Sequence, residues 1–131
     1  MLWRDGTWTS TAPERPQVVN DGTSQLGISI YDSDYATFTY SSPAGAYGMF
    51  YLGIEPADLF DDPAASELVD HKRQAKAFAR WVRETTGRSI TARSVRKLMA
   101  RPGKAPADAF VESDVASLLI LAGLTEPDWD S

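Results

Sequence analysis

The sequence predicts an α+β fold: an N-terminal antiparallel β-meander with a hairpin, packed on a three-helix, helix-turn-helix-like unit. Three observations lead there. Apolar residues recur with period two from Leu26 to Ile54, as in half-buried strands. Near residue 60 the period becomes helical. Shortly afterwards the charge changes sign. Residues 1–71 hold two basic and eleven acidic residues, net −9. Residues 72–104 hold eleven basic residues against Glu84 alone, net +10. Residues 105–131 hold six acids and no base, net −6, and the three blocks together give −5. The 131-residue chain is expected to form one domain, with its β part at 1–60, its helical part at 61–124 and an acidic tail at 125–131.

The hairpin comes first. Asp5-Gly6 stands at the centre of Trp3–Trp8, and Asp-Gly is a preferred two-residue turn, so the register pairs Trp3 with Trp8. Residues 10–24, rich in Pro, Ser, Thr, Asn, Asp and Gly, read as a loop. Three strands follow, with Leu26, Ile28 and Ile30, then Ala36, Phe38 and Tyr40, then Gly48, Phe50, Leu52 and Ile54 on one side. Asp32-Ser33-Asp34 and Ser41–Gly45 supply the turns. The register allows Tyr31, Tyr35, Tyr47 and Tyr51 to share one face, where they stack bases, dock a partner or contact the helices.

Asp62-Pro63 reads as an N-cap and a first-turn proline. The first helix is expected to run from there to Thr86 and stop at Gly87, with Leu68, Ala75, Phe78, Ala79 and Val82 as its apolar stripe. The second begins at Thr91, with Ile90 and Val95 as a hydrophobic staple around the cap, and ends at Arg101-Pro102-Gly103. The third spans Ala107 to Ala122 with Gly123 as its stop. Its second half is apolar on nearly every side, which predicts the most buried of the three helices. Trp129 is the expected anchor of the tail.

Several chemistries find no residues to carry them. No cysteine is present, which removes disulfides, thiol catalysis and thiolate metal sites. His71 is the only histidine, so the familiar triads and zinc sites have no second ligand, and it reads as a surface residue. Asp32 and Asp34 form an Asp-x-Asp pair in a turn, with no further ligand pattern behind them. Asp58, Asp61 and Asp62 could do acid–base work, but helix capping accounts for them more simply. Gly45-Ala46-Tyr47-Gly48 lacks the lysine of a phosphate loop. No catalytic residue, metal or cofactor is assigned, and a non-enzyme is expected. No apolar h-region follows the N-terminus, and no apolar run approaches the roughly 20 residues that span a bilayer, so a cytoplasmic protein without membrane partners is expected.

The basic segment carries the functional expectation. Lys72, Lys76, Arg80 and Arg83 follow spacings of four, four and three, and so share one helix face. Arg93, Arg96, Lys97 and Arg101 cover the arc opposite Val95, Leu98 and Met99, while Arg88 precedes that helix and Lys104 follows it. Like charges so close together repel, and a polyanion relieves the repulsion while releasing counterions. These residues, with Thr91, form the candidate nucleic-acid site, duplex DNA being the expected form. The alternative partner is an acidic surface, on another protein or in the acidic parts of this chain.

The stretch Ala75–Met99 resembles the opening of a winged-helix or related helix-turn-helix domain. In such domains a first helix ends at glycine, a short extended pair leads to an Ile-Thr cap, and a second basic helix follows. Leu119–Leu124 resembles the Leu-x-x-x-Gly-Leu close of the third helix. The resemblance covers residues 67–124 and extends to segments of actinobacterial phage and plasmid replication proteins and of regulators. It implies a DNA-binding protein in a regulatory or mobile-element setting. Two features depart from the pattern. The third helix, normally the recognition helix, carries Asp108, Glu112 and Asp114 and no base, and the chain stops where a β-wing should follow. DNA contacts are therefore expected from the first two helices. A protein-interaction module, such as an immunity or inhibitor protein, is the alternative function.

Overall fold

A computed structural model describes residues 1–10, 18–19, 21–101, 103 and 110–129. Five strands form one antiparallel sheet in the order β2-β1-β3-β4-β5. They are β1 (Leu2–Arg4), β2 (Thr7–Thr9), β3 (Gln25–Tyr31), β4 (Tyr35–Ser41) and β5 (Tyr47–Gly53). Asp5 and Gly6 both take positive φ, 48° and 89°. Two such residues match the twist of a tight hairpin, and Trp3 faces Trp8 as expected.

Period-two patterning gives the sheet one apolar face. Leu26, Ile28, Ala36, Phe38, Tyr40, Phe50 and Leu52 are fully buried against the helices. Phe78 lies edge-on to Phe38, Tyr40 and Phe50 and stacks on Trp81, with ring centroids 5.1–6.3 Å apart. The buried Trp81 indole N–H donates to the Ser41 carbonyl at 2.8 Å. Val82, Val95, Val115, Leu118 and Leu119 join the same core, with Leu98 packed at its margin.

The helices depart from the expected boundaries in three places. The helix expected to start at Pro63 starts at His71. Asp62 caps only the short 3₁₀ turn Pro63–Ala65, which follows α1 (Pro56–Leu59). The Tyr51 hydroxyl accepts the Glu67 N–H at 3.1 Å and holds the chain in an extended course, so Leu68 projects fully into solvent instead of joining the stripe. Asp70, accepting the Arg73 N–H at 3.1 Å, is the cap of α2 (His71–Thr86), and Gly87 in the left-handed region closes it.

The next helix, α3 (Ala92–Leu98), ends before Arg101 because the sheet competes for the chain. Met99 forms a β-bridge with Leu52, and the Ala100 N–H donates to the Tyr51 carbonyl at 2.7 Å. The last helix, α4 (Val111–Ala122), ends at Gly123 as expected but starts at Val111 and not at Ala107, because Phe110 before it is extended, with φ −124° and ψ 130°. Its apolar second half is not buried all round, since Ile120 is 65% exposed. In the tail Trp129 is exposed and Pro127 is buried, and the Trp8 indole donates to the Thr125 carbonyl. Proline and the hairpin tryptophan, not Trp129, secure that segment. Among the described residues no helix is long and apolar enough to cross a membrane.

Candidate functional site

Helix α2 turns Ala75, Phe78, Trp81 and Val82 toward the core. Its 3.6-residue period therefore carries Lys72, Lys76, Arg80 and Arg83 outward, and all four are exposed. Helix α3 buries Val95, which leaves Arg93, Arg96 and Lys97 in solvent on the other side. Arg73, Arg88 and Arg101 are exposed too. No cation of the basic segment among the described residues is covered by the sheet. Lys104 lies outside the described residues.

Among the described residues, no acid outside the basic segment is ion-paired with these side chains. Among the described residues the ion pairs are Arg4–Asp21 at 2.9 Å, within the sheet end, and Arg80–Glu84 at 3.0 Å, within α2. Glu84, the segment's only acid, also accepts the Ser42 hydroxyl at 2.8 Å. Its carboxylate thus ties α2 to the β4–β5 turn. An internal acidic partner for the basic helices, one of the expected alternatives, is not formed among these residues.

Two of the candidate residues have local structural work. The Thr91 hydroxyl caps α3, accepting the Ser94 N–H at 3.1 Å. Arg88 donates to the Ile120 carbonyl at 2.8 Å, near the C-terminus of α4, where a cation meets the negative end of the helix dipole. Both are better explained by capping than by ligand contact.

Six of the remaining candidates gather at the two ends of the α2–α3 pair, while Lys72 and Lys76 are exposed on α2 and line neither concavity. At one end a concavity of about 400 Å³ is lined by His71, Arg93, Arg96, Lys97, Met99, Ala100 and Arg101. At the other, about 240 Å³ is lined by Ala79, Arg80, Arg83, Ser89 and Ile90. Among the described residues no carboxylate lines either one. His71, Met99 and Ala100 were not expected there. His71, expected as a surface residue, is half-buried. With the start at His71, it stands in the first turn beside the residues that leave α3. The His71 Nε2 lies 2.7 Å from the Ala100 carbonyl. A carbonyl only accepts, so Nε2 carries the hydrogen and Nδ1 is turned away from this bond.

The opposite face of the sheet is aromatic. Pairing of Tyr31 with Tyr35, Thr37 with Tyr51 and Ser41 with Tyr47 puts the four tyrosines on one side. Tyr31 and Tyr35 stack at 5.3 Å, and Phe60 meets both edge-on. Tyr51 is buried, whereas Tyr47 and Phe60 are 57% and 46% exposed. Asp32 and Asp34 hold the hairpin turn beside this cluster, Asp58 accepts the Gly103 N–H, and Asp62 caps its 3₁₀ turn. The Asp58 and Asp62 carboxylates thus each accept a backbone N–H. Comparison with known protein families, curated proteins and solved structures finds no match to this chain.

Proposed function

We propose that this protein is a small, non-enzymatic nucleic-acid-binding protein that presents the α2–α3 pair to its ligand. One observation carries the reading: all ten described cations of the basic segment are exposed, and only Arg80 is in an ion pair. Eight of these cations stand on two adjoining helices, with Arg88 and Arg101 beside them, and together they make a local positive field in a chain of net charge −5. The energetic return is release of counterions from phosphates, a term independent of sequence, so duplex DNA is the first ligand to try. The glycine stop, extended link and Thr91 cap between the two helices are the features of the helix-turn-helix resemblance, which supports a regulatory or mobile-element role.

The test is charge reversal at Arg93, Arg96 and Lys97, read by fluorescence anisotropy on a labelled duplex at low and moderate salt. Affinity should fall strongly while the melting temperature stays put, because exposed charges contribute little to folding. Absence of binding to duplex and single strand at low salt would remove the reading. A protein partner then becomes the better proposal, with the exposed Tyr31, Tyr47 and Phe60 as its anchors.

A further inference from the structure

We infer that the larger α2–α3 concavity is a phosphate-monoester pocket that receives the phosphorylated end of a nucleic-acid strand. This rests on the nucleic-acid reading and specifies which part of the ligand the site takes. Charge is the first argument. Arg93, Arg96, Lys97 and Arg101 line one cavity, with no carboxylate among the described residues of its lining. A backbone diester brings one negative charge to such a site, whereas a terminal monoester brings about 1.5–2 at neutral pH and three acceptor oxygens. Arginine forks suit those oxygens because they donate in pairs.

Shape is the second. About 400 Å³ is the scale of a small-ligand cleft, room for one nucleotide and far too little for a duplex. Phosphates along a duplex lie on a broad convex surface and meet the exposed cationic heads without entering the cavity. A strand end protrudes and can enter. His71, Met99 and Ala100 complete the lining behind the cations.

Construction is the third. Ala100 is held from both sides, its N–H on the Tyr51 carbonyl and its carbonyl on His71. Met99 is bridged to Leu52. The strap that carries Arg101 is therefore fixed before any ligand arrives, and binding does not have to order it. His71 acts here as a positioning residue.

The experiment uses the full chain and one oligonucleotide sequence in three forms: 5′-phosphate, 3′-phosphate, and hydroxyls at both ends. A phosphorylated form should bind about tenfold tighter than the hydroxyl form, the worth of one charge-assisted contact, and the two phosphorylated arms identify which end enters. A 5′-mononucleotide should compete, and inorganic phosphate more weakly. Arg96→Gln and, separately, Arg101→Gln should bring the preference close to unity with unchanged melting temperature. Arg101 lies outside any helix, so its variant keeps the test open if Arg96→Gln folds poorly. Lys76→Gln should weaken all three forms alike and leave the ratio intact. Equal binding of the three forms by the native chain overturns the pocket while the nucleic-acid reading stands. A preference that survives both arginine variants also overturns it. No binding of any form overturns both.

Discussion

Gly53 adopts φ +87°, and a Cβ there would lie 2.4 Å from the Asp34 carbonyl oxygen. The close approach serves the fold, because the Ile54 N–H donates to that same carbonyl at 2.9 Å. Gly53→Ala combines left-handed strain with a clash against backbone, and should cost at least about 2 kcal/mol in thermal or denaturant unfolding. Trp81 makes a comparable point in the core. Trp81→Phe keeps most of the ring but strands the Ser41 carbonyl without its indole donor, at a cost of about 1–3 kcal/mol. Leu118 is fully buried, so Leu118→Ala should lose about 2–5 kcal/mol by leaving a cavity. Phenol ionisation contributes nothing near neutrality at Tyr40, because burial pushes its pKa well above the ordinary value despite Arg73 nearby.

At the scale of elements, the beginning of α2 decides where the cations point. Asp70→Ala removes the cap and should cost about 1 kcal/mol, measured by equilibrium unfolding. Leu68→Asp should change stability by no more than about 0.5 kcal/mol, since the side chain is wholly exposed. A helix running unbroken from Pro63 would reverse that order, with Leu68 costly and Asp70 cheap. The sequence admits both starts, because Asp62-Pro63 and Asp70 are each acceptable caps. What separates them is a tertiary bond, the Tyr51 hydroxyl on the Glu67 N–H. The end of α3 follows the same rule. Leu98-Met99-Ala100 is compatible with helix, and β5 captures Met99 and Ala100 by its open edge. That capture also builds the strap beneath the cationic concavity.

For the molecule as a whole, charge is segregated rather than mixed. A block of net +10 stands between blocks of net −9 and −6 along the chain, and its described cations lie exposed on and beside the α2–α3 pair. Such a separation orients the approach of a polyanion, and the acidic part disfavours the reverse orientation. Binding to duplex DNA should therefore weaken steeply with salt. Each neutralised phosphate contributes about −0.9 to the slope of log affinity against log salt, so reversing Arg93, Arg96 and Lys97 should flatten it by about 2–3. A salt-insensitive affinity, titrated between 50 and 200 mM, would point to recognition by the tyrosine face instead.

Local chemistry alone determined much of this protein. Asp5-Gly6 set the Trp3–Trp8 register because few other dipeptides tolerate two left-handed residues in succession. Alternation from Leu26 to Leu52 chose the core face, and Gly87, Thr91 and Gly123 marked helix ends through side-chain oxygens and left-handed backbone. The block of positive charge was equally plain. Tertiary structure decided the rest. It chose between two caps for α2, shortened α3, left Ile120 in solvent, and turned His71 and Ala100 toward the arginines. These outcomes depend on groups far apart in the chain: Tyr51 with Glu67, Leu52 with Met99, His71 with Ala100. No periodicity or spacing records such pairs, because the free energy that selects them exists only once the sheet and the helices share a core.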